Sequence, residues 1–211
     1  MNLERLFKIQ KVLDEKILDK HPELKGQNNL EWKLLALQVE LGECANEHRG
    51  FKKWSNDQEP RVKEKCPICK GKGFIDFFDA FESQYETESC NDCEETGFVK
   101  DKNSLLEEYV DCLHFILSIG LELSIAGNVV RNERFNKNRN VIQQFTSVFV
   151  SISDLLGNIW LDRPAGIVDQ YHDMFTQFIL LGEKLGFTWK RIEQAYLDKN
   201  KVNHERQDTG Y

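Results

Sequence analysis

Apolar residues recur every three or four positions over most of the chain, which is the spacing of one face of an α-helix. This pattern predicts helices over residues 3–18, 30–48, 104–125, 141–160 and 166–185, and a last helix that begins at Thr188. Sustained alternation of apolar and polar residues, which is typical of a half-buried strand, does not occur outside residues 57–103. The pattern therefore predicts an all-α body that is built as a helical bundle.

Two of the predicted helices carry capping signatures. Asn28 or Asn29 can cap the second helix, and Gly50 fits the position that follows its last turn. Ser104 and Glu107 have the spacing of a capping box, which predicts that they begin the third helix.

The stretch from 57 to 103 interrupts the helical pattern. It is rich in charge and glycine and contains two similar halves, CPICKGKGF from Cys66 and CNDCEETGF from Cys90. We therefore divide the chain into a helical body, residues 1–56 and 104–211, and an insert, residues 57–103. The aromatic residues of the insert can form an apolar face or fill a small core; they are Phe74, Phe77, Phe78, Phe81 and Phe98.

Composition narrows the class of protein. The chain has 211 residues, of which 40% are apolar and 30% charged, as in a soluble globular domain with a small extra module. Its net charge of −7 argues against a general nucleic-acid-binding protein, which needs clustered positive charge. The N-terminal pattern lacks the apolar core of a signal peptide, and no apolar run reaches the roughly 20 residues of a membrane span. We therefore expect no membrane contact and a cytoplasmic location.

Four of the six cysteines form two CxxC pairs, which is the usual spacing of a structural zinc site. Four thiolates close a tetrahedron and leave no open position, so a zinc ion here would not take part in hydrolysis. Free thiols, or a redox pair that forms disulfides, are the alternatives. The predicted zinc ligands are Cys66, Cys69, Cys90 and Cys93.

Two pairs of acidic residues lie three positions apart on two predicted helices, so each pair shares a helix face. The first is Glu40 with Glu43, and the second is Glu108 with Asp111. Both pairs adjoin apolar stripes, and unpaired carboxylates on a core side are costly unless a cation compensates them. Mg²⁺ prefers such oxygen ligands, so the spacing predicts a magnesium site. The alternative is that these pairs belong to solvated helix faces.

The acid pairs lie within longer segments that have a family resemblance. These segments are LALQVELGE from Leu35, ANE from Ala45, GFKKW from Gly50, LLEEYVDCLHF from Leu105 and YLDKNKVNHERQ from Tyr196, with a looser QKVLD from Gln10. Together they resemble the dimeric, all-α dUTPase family of the all-α NTP pyrophosphatases, to which the MazG-like enzymes are related. The resemblance covers most of the chain apart from residues 57–103.

The resemblance implies Mg²⁺-dependent hydrolysis of dUTP to dUMP and pyrophosphate by a homodimer. It implies that the two acid pairs bind Mg²⁺. It also implies that one of these acids, Glu43 as the first candidate and Glu40 as the second, orients or deprotonates the attacking water. It further implies two groups of substrate contacts. Phosphate or sugar oxygens would be met by Lys199, Asn203 and Arg206, and uracil by Gln10 and Trp54. Family members often carry Asn where this chain has Asp14, a departure that bears on base recognition.

Other interpretations stay open. The enzyme could act on dCTP or on modified or noncanonical nucleotides, or the chain could be a non-catalytic zinc-ribbon binding protein on a degenerate scaffold. Trp54 could be ordinary packing, and Lys199 and Arg206 could be solvated cations near a helix end. A core histidine is the expected state of His114. The insert could cap the site, contact a second copy or form a docking surface.

Overall fold

The computed structural model of the protein describes residues 2–79, 84–99, 102–125, 129, 132, 135 and 138–210, with the backbone alone at Asp79. Phe81, which the sequence assigns to the apolar face of the insert, lies outside these residues. Over the described part of the chain there are six helices and one β-hairpin. Their bounds are α1 Leu3–Lys20, α2 Leu30–His48, β1 Phe74–Asp79, β2 Gln84–Ser89, α3 Ser104–Glu122, α4 Val141–Trp160, α5 Pro164–Lys184 and α6 Trp189–Thr209. The predicted all-α class is confirmed.

Helix boundaries follow local hydrogen bonding. Asn103, in an extended conformation, caps α3 and accepts a hydrogen bond from the Leu106 N–H at 2.9 Å, so the predicted Ser104 capping box is wrong. At the end of α2, Arg49 rather than Gly50 adopts the left-handed conformation, with φ 61°. Thr188, at which the sequence predicts the last helix to begin, caps α6, because its side chain accepts from the Arg191 N–H. None of the described helices is long and apolar enough to span a membrane.

The core forms where α3 packs against α2, α1 and α6, while α4 and α5 form an antiparallel pair beside it. Tyr109 of α3 stacks on Phe178 of α5 with ring centroids 4.2 Å apart, and its hydroxyl donates to the Phe178 carbonyl at 3.1 Å. Gly182 makes this contact possible, since a Cβ there would lie 2.4 Å from the Tyr109 hydroxyl oxygen. This packing fixes the orientation of α3, which carries half of the predicted acid cluster.

The insert leaves the body through two chain segments that run antiparallel. Going outward from the body, the Leu105 N–H donates to the Arg61 carbonyl at 3.1 Å, the Val99 N–H to the Glu64 carbonyl at 2.8 Å, and the Cys66 N–H to the Gly97 carbonyl at 2.9 Å. Beyond them the two strands pair antiparallel, in the register Phe74↔Ser89 to Asp79↔Gln84. The departure from the all-α pattern is therefore confined, among the described residues, to the insert.

Candidate functional site

An acidic cluster forms where α2 faces α3. Glu40 of α2 and both Glu108 and Asp111 of α3 offer carboxylate oxygens that all lie within 4.8 Å of one another. The three side chains are half-buried, as expected for residues that adjoin the apolar stripes of two packed helices. Glu43, the fourth predicted ligand, is more exposed and lies outside this set, although its charge acts on both Glu40 and Glu108. The acids predicted from sequence therefore form a close group of three, with Glu43 nearby.

The cluster carries more negative charge than its surroundings compensate. Burial, followed by the charges of Asp111 and Glu43, raises the pKa of Glu40 to about 7. The same causes, joined by the charge of Glu40, raise the pKa of Glu108 to about 7. Burial also raises the pKa of Asp111, although a hydrogen bond from Lys199 opposes the shift. Three crowded oxygen donors with raised pKa values are suited to a hard divalent cation.

Lys199 of α6 supplies positive charge beside the cluster. Its Nζ lies 2.7 Å from the Asp111 Oδ2 and 3.0 Å from the Glu107 Oε1. The side chain is largely buried, so it is no solvated helix-end cation. Arg206, about two turns further along α6, lowers the pKa of Glu40 and of Asp111 through its charge. Both cations are thus positioned for anionic groups that approach the cluster.

A cleft of about 350 Å³ extends from the acidic cluster into the body. Glu40 and Asp111 line it at the cluster, together with the predicted substrate residues Asn203 and Arg206, and Gln10 lines it as well. A larger crevice of about 790 Å³ separates the second cysteine pair from α6, but Cys93 is the only predicted site residue that lines it. The chemistry predicted from the sequence therefore converges on the smaller cleft.

Gln10 is held by three hydrogen bonds, two of them buried and one partly buried. Its Oε1 accepts from the Tyr196 hydroxyl and from the His114 Nδ1, each at 2.8 Å, and its Nε2 donates to the Asp14 Oδ1 at 2.7 Å. Burial lowers the pKa of His114 to about 3, so the imidazole is neutral at pH 7. His114 is a buried core histidine, as the sequence predicts, and the Gln10 amide has one fixed orientation.

Asp14 is an acidic residue that lines the cleft away from the acidic cluster, beside Gln10. Its Oδ2 accepts from the Ser118 Oγ at 2.6 Å and lies 3.8 Å from the Nζ of Lys33, which also donates to the Glu122 Oε1 at 2.6 Å. Burial raises the pKa of Asp14, and the hydrogen bonds from Ser118 and Gln10 and the charge of Lys33 lower it. No local sequence pattern indicates Lys33 or Ser118, because their role depends on how α2 and α3 pack against α1.

The tryptophan that lines the cleft is not the one that the sequence places near the base. Trp54, predicted near the base, is 78% exposed, packs edge-on against Phe51 at 5.8 Å, and is absent from the cleft lining. Trp32, which the sequence analysis did not single out, lines the cleft with 41% exposure, and its indole N–H donates to the Asn29 Oδ1 at 3.0 Å. Periodicity alone does not separate the two side chains. Trp32 and the partly buried Phe115 are the aromatic side chains that line this cleft and are available to a ligand.

The four paired cysteines are buried and clustered in the insert. The Sγ atoms of Cys66 and Cys90 lie 3.8 Å apart, and those of Cys69 and Cys93 lie 3.7 Å apart. The backbone N–H groups of Gly73 and Gly97 donate to the Sγ atoms of Cys69 and Cys93, each at 3.3 Å. Such bonds stabilise thiolates, which are the form of cysteine that binds a metal. The arrangement could hold one metal ion.

The raised pKa values of Glu40 and Glu108 predict a pH dependence of stability. Both groups bind protons more tightly in the folded chain than in the unfolded one, so their contribution to the free energy of unfolding falls as pH rises from about 5 to about 7. Since both side chains are partly exposed, solvent screening limits the loss to about 1–2 kcal/mol. We expect Glu108→Gln to gain stability over the wild type by about 1 kcal/mol at pH 8, and by almost nothing at pH 5.

Urea unfolding without added magnesium measures this difference. Glu15→Gln serves as the matched control, because Glu15 is exposed on α1 and forms only an i,i+4 ion pair with Lys11. The control should follow the wild type at every pH. A gain for Glu108→Gln that does not grow with pH would contradict the assignment of the raised pKa.

Comparison with protein families matches residues 2–67 and 95–211 to the model described as dUTPase. The match includes the acidic cluster and the cleft. It leaves out residues 68–94, which contain three of the four clustered cysteines and the whole hairpin. No curated protein matches the chain.

Proposed function

The chain belongs to this dUTPase family of nucleotide pyrophosphohydrolases, and from that premise we propose that it is a dUTP diphosphatase that releases dUMP and pyrophosphate with Mg²⁺. The observation that carries the proposal is the continuity of the acidic cluster with the cleft. Carboxylates and two cations meet at one end, and hydrogen-bonding side chains and Trp32 line the other parts. This division fits a substrate with a polyanionic half and an aromatic base.

Mg²⁺ fits the acidic cluster on the chemistry of its donors. We assign Glu40, Glu108 and Asp111 as ligands, with Glu43 as the fourth predicted one. When bound, Mg²⁺ would neutralise triphosphate charge and stabilise the charge that develops during hydrolysis. Burial, and after it the repulsion between neighbouring acids, raises the pKa values of Glu40 and Glu108 without a cation, which supports this assignment.

In the proposed reaction, carboxylates orient or deprotonate the attacking water, and cationic side chains bind the phosphates. Glu43 is the first candidate to orient or deprotonate the attacking water. A pKa of about 7 makes Glu40 the second, since a general base works best when its pKa is near the operating pH. Lys199 and Arg206 would hold phosphate oxygens, and Asn203 a phosphate or sugar oxygen.

We propose that the base enters between Trp32 and the polar wall formed by Gln10, Asp14 and Ser118. Aromatic stacking favours any base, so discrimination would depend on hydrogen bonds that only the correct base completes. Trp54 would reach the base only through a change of position or from another copy of the chain. Uracil offers two carbonyl acceptors and one N–H donor to such a wall.

Asp14 supports a second candidate substrate. A carboxylate only accepts hydrogen bonds, so it would favour the amino group of cytosine over a carbonyl of uracil. We expect Asp14→Asn to raise the ratio of kcat/KM for dUTP to that for dCTP by about tenfold, since the amide adds a donor. Steady-state kinetics with both nucleotides measures this ratio. Asp19→Asn, an exposed change on the same helix, is the control, and an unchanged ratio in Asp14→Asn would show that Asp14 does not contact the base.

We further propose that the chain forms a homodimer and binds Zn²⁺ in the insert. Exposed Leu35 and Val39 continue the face of α2 that begins at Trp32, which supports a contact with a second copy beside the cleft. Zn–S bonds of about 2.3 Å in a tetrahedron put sulfurs about 3.8 Å apart, close to the two separations in the cysteine cluster. Thiolate ligands need a reducing compartment, which fits the predicted cytoplasmic location.

The proposed activity is tested by incubating the purified chain with dUTP, dUDP and each canonical dNTP, with and without Mg²⁺. Products are resolved by chromatography. We expect Mg²⁺-dependent conversion of dUTP to dUMP and pyrophosphate. Cleavage of dCTP in place of dUTP would support the second candidate, and no cleavage of any nucleotide by folded protein would overturn the enzyme assignment.

A further inference from the structure

The hairpin of β1 and β2 has no part in the proposed nucleotide chemistry. It lies within residues 68–94, outside the match to the family. In the described part of the chain, β1 and β2 pair only with each other and pack against none of the helices. Both outer edges of the hairpin are therefore open, although Ile75 anchors it by packing against the cysteine cluster.

One face of the hairpin presents aromatic side chains to solvent. Phe78 pairs with Tyr85 across the strands, and Phe74 lies on the same face because it is four residues earlier in the strand. The exposed fractions are 42% for Phe74, 54% for Phe78 and 81% for Tyr85. These three side chains therefore form an exposed apolar face. The alternative prediction, that they fill a small core of the insert, is wrong for them. Contiguous exposed aromatic residues are typical of an interaction surface.

The opposite face of the hairpin is acidic. Glu86 pairs with Phe77 and Glu88 with Ile75, so both carboxylates lie on the face opposite to Phe78 and Tyr85. The second cysteine pair adds Asp92, Glu94 and Glu95 after β2, of which Asp92 and Glu94 line the crevice toward α6. Among the described residues, none of these five carboxylates forms a salt bridge, whereas Asp76 is paired with Lys72. Unpaired negative charge attracts a basic partner and repels the phosphates of nucleic acid.

We propose that this hairpin is a docking surface for a protein segment that carries Lys or Arg side chains next to large apolar ones. The apolar side chains would cover the Phe74, Phe78 and Tyr85 face. A segment that adds a strand to the open edge of β2 presents alternate side chains to the two faces, so its basic side chains would meet the carboxylates of Glu86 and Glu88 on the opposite face. Because the cysteine cluster anchors the hairpin, the surface is preformed, and binding would cost little ordering of the hairpin.

The test selects short random peptides on the full-length, zinc-loaded protein and measures their affinity by fluorescence polarisation. We expect the selected peptides to combine net positive charge with large apolar residues. The double variants Phe78→Ser/Tyr85→Ser and Glu86→Lys/Glu88→Lys should each weaken binding at least about tenfold. The charge-reversed variant keeps the proposal testable if the aromatic one fails to fold, and zinc content reports folding in both. Nucleotide hydrolysis should be unchanged.

Val150→Ser, which removes an exposed apolar side chain from α4, is the matched control and should bind like the wild type. Peptides without net positive charge, or peptides that bind the hairpin variants as tightly as the wild type, would overturn the proposal. So would tighter binding of a single-stranded oligonucleotide to this surface. A lower molecular mass of the hairpin variants in light scattering would identify a second copy of the chain as the occupant, and would overturn it too.

Discussion

Replacing Glu40 by Gln is expected to lower kcat/KM for nucleotide hydrolysis about a thousandfold. Glu40 is the only one of the three close acids that comes from α2, and it also lines the cleft. Gln has the same size but supplies no negative charge and cannot accept a proton as a carboxylate does. The loss should appear in kcat/KM at every Mg²⁺ concentration, and Mn²⁺ binding measured by calorimetry should weaken in parallel.

Stability separates a chemical effect from a structural one in this variant. Removing one of several mutually repelling carboxylates should leave the variant at least as stable as the wild type at neutral pH. Glu31→Gln is the control on the same helix, since Glu31 is outside the cleft lining and accepts a hydrogen bond from Trp160. If Glu40→Gln retained activity within about tenfold of the wild type, the acidic cluster would not be the catalytic centre.

Loss of the metal from the cysteine cluster is expected to unfold the insert and leave the helical body folded. The buried apolar cluster of the insert consists of the four cysteines with Ile75 packed against them, which is too small a core to fold alone. Structural zinc contributes about 10–16 kcal/mol of apparent binding free energy in small modules. Cys69→Ser should therefore release zinc and expose the insert to trypsin at Lys63, Lys65, Lys70 and Lys72, while the far-ultraviolet helical signal changes little.

Cys112→Ser distinguishes this effect from general loss of a buried thiol. Cys112 is buried in the body, on α3, and takes no part in the cysteine cluster. The variant should lower the stability of the body but retain zinc and a protease-resistant insert. An insert that stayed resistant to trypsin after zinc had been removed would contradict a structural role for the metal.

The spacing of apolar residues along the chain was sufficient to predict most of the helices. The apolar spacing predicts α2 and α4 at the bounds the structure has, because both helices bury one continuous stripe. It also predicts the start of α3 at Ser104, but Asn103 and Ser104 are both good capping residues, and only the backbone conformation selects Asn103 as the cap. It predicts no end for the last helix, whose polar residues after Asn203 continue as helix to Thr209. There Lys16 of α1 reaches the His204 carbonyl and the Asp208 carboxylate.

Residue spacing along the chain was sufficient to predict the all-α class, the paired acids of α2 and α3, and the two cysteine pairs. Each depends on spacing within one element, since residues three apart on a helix share a face whatever surrounds them. Three other features became visible only once the helices were packed. Trp32 lines the cleft whereas Trp54 does not, Glu43 lies outside the close group of acids, and Lys33 approaches Asp14. These relations join residues of different helices, so they depend on how the helices pack, which no local pattern contains.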